Sequence, residues 1–239
     1  MRHGDTRRLT VVASGDKVEM ARQEQFAVAD AREADHRFAN HLALLSGFVR
    51  LKAADLARQP SLPTLEGVQL ILESVRGQID AMARLHRSLA LGALDDHPDL
   101  ADHLRRVCEP LSQVLGGRIA LIEEVTRGCW VQPDQILPLT QIVSEVITNS
   151  VKHAYPSGKA GRILVNCRRE ADGAIVIRIV DDGPGLPRGF DPEKDSGLGF
   201  HLIKALAFQL KAVVEFENLP GGLCFRLTLQ SGLSVLAKG

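Results

Sequence analysis

The sequence has no charge of either sign in excess: 29 Lys and Arg balance 29 Asp and Glu over 239 residues. That balance gives no pull toward nucleic acid or an anionic membrane, and neither is expected as a partner. No apolar run approaches the roughly 20 residues that a bilayer span needs. The opening MRHGDTRRLTVVASGDK has basic residues but no apolar stretch of a secretory signal. Four cysteines, Cys108, Cys129, Cys167 and Cys224, stand far apart without a CxxC pair. This argues against a disulfide framework or a zinc site, and each cysteine reads as a small buried apolar residue in a cytoplasmic protein. There is no internal repeat and no low-complexity segment. A GxGxxG turn would need glycine at Leu202, and GxxxxGK[ST] occurs nowhere, so the Rossmann and P-loop readings both fail.

What is present suits a globular chain of one or two domains, with 45% hydrophobic and 24% charged residues. Residues 1–18 are polar and mixed, and are expected to be a flexible N-terminus. From about Val18 to Ala57 the pattern is helical. Phe38, Leu42, Leu45, Val49 and Leu56 recur at spacings of four and three, with Lys52 in the missing place. RQPSLPT breaks that helix. A second stripe follows in Leu65, Val68, Leu72, Val75, Ile79 and Met82. Both stripes approximate a heptad, so 19–94 is expected to be a helical hairpin with apolar faces still to bury. A homodimer completing a four-helix bundle is the natural solution, and packing on the rest of the chain is the alternative. LGALDDHPD marks the boundary. Over 95–239 the pattern becomes helix, strand, a long helix from about Pro133 to His153, two strands, a Gly/Pro-rich loop, helix, and two strands. That is an α+β sandwich, a mostly antiparallel sheet with helices on one face.

Three segments of this second region bear polar residues suited to chemistry. EVITNSVKHA places Glu145, Asn149 and Lys152 on one helical face. A carboxylate, an amide and an ammonium there suit magnesium and phosphates, although a solvated polar face has the same pattern. DDGPGLP follows the apolar strand AIVIRIV, with Asp181 at the strand end and Gly183 and Gly185 permitting a sharp turn. DSGLGFHLIKAL opens an amphipathic helix with Ser196, Gly197, Leu198 and Gly199, exposing backbone N–H groups to an anion.

Taken in order and spacing, these segments resemble the nucleotide-binding domain of the GHKL superfamily, which includes gyrase, Hsp90, MutL and the histidine kinases. The resemblance implies an ATP pocket under a mobile lid. By it Asn149, and with it Glu145, takes Mg2+, and Asp181 accepts from the adenine amino group. Gly183 and Gly185 shape the adenine end, and the run from Ser196 to Gly199 approaches the phosphates, with Lys152 or His153 in reach of them. Upstream, DHRFANHLALLSGFVRLKA resembles the HRxKNNLQ box of HisKA_2-type sensor histidine kinases, relatives of the HWE group. That implies phosphorylation of His36 by ATP and transfer to an aspartate of a response-regulator receiver domain.

The residues agree with such a role. Imidazole is a nucleophile near neutral pH. On a helical wheel His36 lies roughly 150° from the Phe38–Leu42–Leu45–Val49 stripe, facing out, with Asn40 one turn on. Asp35 and Glu145 both stand as candidate bases. The outward strip Asn40, Ala43, Gly47 and Ala54 is built of small residues and is expected to dock the receiver domain. The chain departs from the family box in having Ala39-Asn40-His41, and Lys211-Ala212 replace a glycine pair after the last helix. With so few residues before the hairpin, a separate sensor or regulatory protein is an expected source of input. A histidine phosphotransferase working without ATP is the second reading, and an anti-sigma kinase module the third.

Overall fold

A computed structural model of the chain describes residues 39, 42–43, 45–54, 56–58, 63–90 (85–90 as backbone), 97–155, 159–190 and 197–230. All but Ala39 lie in the compact unit His41–Gly239. The expected N-terminus 1–18, together with Asp35, His36, Asn40 and Ser196, falls outside the described residues.

The leading helix, α1, is described over 45–54. It precedes α2 (Leu65–Ala90), α3 (Leu100–Leu115), β1 (Ile119–Val125), α4 (Pro133–Ala154), β2 (Gly161–Arg169), β3 (Ile175–Asp181), α5 (Leu198–Leu210), β4 (Val213–Leu219) and β5 (Gly222–Leu229). The strands form one sheet in the order β1-β2-β3-β5-β4. Only β1 and β2 run parallel; the other pairs are antiparallel. The expected α+β class and element order are what the structure has.

Strand alternation builds the core. Ile163, Val165 and Cys167 on β2, Ile177 and Ile179 on β3, and Phe225 and Leu227 on β5 turn inward and are almost wholly buried. They meet α3, α4 and α5, whose buried residues join the same cluster. Asp99 starts α3 by accepting from the Ala101 N–H at 3.1 Å, and Gly116 ends it in a left-handed conformation. All four cysteines are buried free thiols, as expected. Lys211 takes the left-handed position after α5, φ 54°, a conformation more natural to glycine.

The hairpin stripes need correction. The buried face of α2, which packs on α3 and α4, is Leu70, Ser74, Gln78, Ala81 and Met82; of the expected stripe Met82 belongs to it, and Val68 and Val75 are half-buried. The Ser74 and Ser144 hydroxyls share a buried hydrogen bond of 2.6 Å. Leu65, Leu72 and Ile79 are left 74%, 63% and 49% exposed. On the leading helix Leu42 and Val49 are exposed, while Phe48 and Lys52 are buried. Of the small-residue strip, Ala43 is exposed but Gly47 and Ala54 are half-buried. Periodicity locates a helix's apolar stripe; it does not reveal that a second, more polar face packs on the chain's own domain.

Candidate functional site

The central helix α4 brings most of the expected site together. Most of its length is buried, Glu145 and Ser150 included, while Asn149 is half-buried and Lys152 and His153 are exposed. Glu145, Val146, Asn149, Ser150, Lys152, His153 and Ala154 of α4 all line a cavity of about 490 Å3. The other walls come from Asp181, Gly185 and Leu186, from Gly197 and Gly199, and from an apolar floor including Ile179, Ile203, Phe216 and Phe225. Volume and lining suit a ligand with one flat apolar part and one polar part.

At one end sits Asp181, 5% exposed. Its Oδ2 accepts from the Ser150 hydroxyl at 2.8 Å, and its Oδ1 from the backbone N–H of Gly183 at 3.1 Å and of Leu223 at 3.3 Å. A carboxylate has about four acceptor positions, so one remains for a ligand's amino group. Gly183 does not itself line the cavity. A methyl group there would overlap Ala154, so glycine is what lets the turn pack on α4. Gly185 has φ 75° and lies against Asn218. Asn218 clamps the turn, accepting from the Leu186 N–H at 2.7 Å and donating to the Leu186 carbonyl at 3.0 Å.

Behind this end, the Tyr155 hydroxyl lies 2.6 Å from the Arg162 carbonyl oxygen and 2.7 Å from Asp182 Oδ1, two acceptors for one proton. Burial, and then the Asp182 carboxylate, push the Tyr155 phenol above its ordinary pKa. Partial burial of Asp182 acts to raise its carboxyl, but hydrogen bonds from the Arg162 N–H and Tyr155 outweigh that and hold it below the ordinary range.

At the other end are Glu145, Asn149 and the start of α5. A side chain at Gly199 would strike Glu145 Oε1, so the glycine lets α5 approach α4. Gly197 caps α5 without a side-chain hydrogen bond, and no acidic residue occupies the first turn. The amides there suit an anion. Leu198 opens α5 without lining the cavity. Among the described residues no group of three or more His, Cys, Asp or Glu is placed to hold a metal ion. One amide oxygen and one carboxylate fit magnesium, which takes few protein oxygens beside phosphates and water.

Sequence reasoning missed Lys52. It is 7% exposed, and its ammonium lies 2.5 Å from Oε2 of Glu145, itself 3% exposed. The contact is an ion pair rather than a directed hydrogen bond, since Oε2 has no hydrogen-bond partner of good geometry. The ammonium also lies 5.5 Å from the centre of the Phe48 ring.

Residues 33–115 match the HisKA_2 family model, described as "Histidine kinase". Residues 134–233 match the HATPase_c model, "Histidine kinase-, DNA gyrase B-, and HSP90-like ATPase". The chain is 28% identical over 228 residues to the sensor histidine kinase PdtaS of Mycobacterium tuberculosis, covering 93% of this chain and 42% of that protein. It is 23% identical over 194 residues to blue-light-activated histidine kinase 2 of Erythrobacter litoralis, covering 80% of this chain and 53% of that one. Thus the chain spans about half or less of these relatives' length. The structure is similar to the histidine kinase domain of Erythrobacter litoralis EL346, with TM-score 0.60 and 20% identity, over 83% of this chain and 93% of that domain.

Proposed function

Because the chain belongs to the HisKA_2-type histidine kinases that carry a GHKL ATPase domain, we propose that it is an ATP-dependent protein histidine kinase of two-component signalling. Residues 19–94 form its phosphoacceptor hairpin and 95–239 its ATP-binding domain. The observation that supports this best is that one cavity has the pre-oriented Asp181 carboxylate at one end and Asn149, Glu145 and Gly199 at the other. Adenine lies on the apolar floor with its amino group on Asp181. The triphosphate runs toward Asn149, Lys152, His153 and the run from Ser196 through Gly197 and Leu198 to Gly199. The Asn149 amide oxygen and the Glu145 carboxylate are the groups that would hold Mg2+, which when bound neutralises phosphate charge.

A ring nitrogen of His36 attacks the γ-phosphorus; a P–N bond forms as the P–O bond to ADP breaks. The proton on the other ring nitrogen leaves to a carboxylate, with Asp35 and Glu145 the candidates, and Asn40 positions the ring. The receiver's aspartate then takes the phosphoryl group, with P–O forming and P–N breaking, docking along Asn40, Ala43 and Gly47. The exposed heptad residues Leu65, Leu72 and Ile79 support a homodimer through the hairpin. The site of action in this reading is the cytoplasm. Among the described residues no helix is long and apolar enough to cross a membrane.

Incubation with γ-labelled ATP and Mg2+ tests this. Acid-labile label is expected on wild type, and none on His36→Gln or on Asn149→Ala, with folding retained. Failure of wild type to bind ATP would favour a phosphotransferase that only relays phosphoryl groups.

A further inference from the structure

Lys52 of α1, sixteen positions after His36, pairs with Glu145, which lines the cavity. Glu145 is the carboxylate that a side chain at Gly199, in the first turn of α5, would strike, and it is a candidate for both proton and metal. The Lys52 ammonium, 2.5 Å from Oε2, occupies that oxygen and sets a positive charge against any proton or magnesium ion approaching the same carboxylate. We propose that the Lys52–Glu145 pair is an autoinhibitory latch: it docks the acceptor helix on the nucleotide site in a resting arrangement, and Glu145 serves the reaction only after Lys52 withdraws. This rests on the kinase reading above and adds a control to it.

Two independent features suit a contact made to be broken. A buried ion pair loses in desolvation much of what it gains in attraction, so its two states lie close in free energy. The neighbouring contact of α2 with α4 is polar as well. Ser74, Gln78, Gln141 and Ser144 are all buried there. Ser74 pairs with Ser144, while Gln78 Oε1 has no hydrogen-bond partner. An interface of this kind resembles a transient docking surface more than a permanent core. Beside the apolar contacts of Phe48, Leu70, Ala81 and Met82, buried polar groups thus help to hold α1 and α2 to the ATPase domain, while Leu65, Leu72 and Ile79 stay exposed.

The test compares wild type with Lys52→Met, Lys52→Gln and Ser74→Asp, the last undocking α2 without touching either member of the pair. Initial labelling rate with γ-labelled ATP, binding of a fluorescent ATP analogue, and amide exchange of residues 45–54 are measured on the full chain. The expected result is labelling roughly tenfold faster in the variants, with nucleotide still bound and exchange in 45–54 raised. If wild type labels and neither Ser74→Asp nor a nucleotide-binding Lys52 variant labels faster, the latch is overturned and the kinase reading stands. Slower labelling in the Lys52 variants overturns it equally, making Lys52 a positioning residue for Glu145. If wild type binds nucleotide without taking label, the kinase reading falls and the latch with it.

Discussion

Asp181 is fixed from three sides before any ligand arrives, by Ser150, the Gly183 N–H and the Leu223 N–H. That pre-orientation sets what its replacement should do. Asp181→Asn turns an acceptor toward the ligand into an amide that competes for it. Losing one charge-assisted hydrogen bond costs about 1.5–3 kcal/mol, so ATP affinity should fall by roughly ten- to a hundredfold. Ser150→Ala should lower stability by about 1 kcal/mol and weaken ATP less than Asp181→Asn does. Calorimetric titration with a non-hydrolysable ATP analogue, alongside thermal melts, measures both. Equal affinity in Asp181→Asn and wild type would remove Asp181 from the adenine site. At this scale the sequence shows residues whose partners are near in the chain: Glu145, Asn149 and Lys152 are marked by helical spacing. It hides those whose partners are distant. Ser150 meets Asp181 across 31 positions, and Asn218 meets Leu186 across 32. Lys52 looks like an imperfection in an apolar stripe until Glu145 is placed beside it.

Helix α2 has two working faces at once. One carries Leu70, Ser74, Gln78 and Ala81 against α3 and α4; the other displays Leu65, Leu72 and Ile79 seven residues apart. Burying a leucine or isoleucine is worth about 1.5–3 kcal/mol, so leaving three exposed is costly unless another chain covers them. Leu72→Glu with Ile79→Glu should therefore convert a dimer to a monomer in light scattering, while the monomer's melting temperature stays close to wild type. A variant of unchanged mass would show that the stripe is not the dimer contact. The sequence shows the helix and an apolar stripe on it, and still leaves open which face meets what. A 3.6-residue period reports amphipathicity, and a small polar face such as Ser74–Gln78 leaves no periodic signal.

Stability of the whole molecule should depend on acid through two groups. Burial, and then Arg106 and Arg84, hold His103 on α3 below its ordinary value of 6.5, with Asp102 and Asp99 opposing. Asp182 is likewise held low. For both, the unfolded state binds the proton more readily than the folded one. Their contribution is thus complete above the unfolded value and is lost as pH falls through the folded one. For His103 the loss begins near pH 6.5, and for Asp182 near pH 4. Denaturant midpoints should fall between about pH 7 and 5, and His103→Gln should flatten that slope. A variant as pH-sensitive as wild type there would place the acid response elsewhere.

The sequence by itself determined the element order, the α+β class, the free buried cysteines and the residues that line up on one side of α4. These follow from periods of two and 3.6 and from turn chemistry, which are local and survive without the fold. Only the tertiary structure decided that Ser150 orients Asp181, that the polar face of α2 packs inward, and that Lys52 occupies Glu145. Each of these joins groups far apart in the chain, and burial gives such pairs their energetic weight by removing the water that would otherwise compete for them.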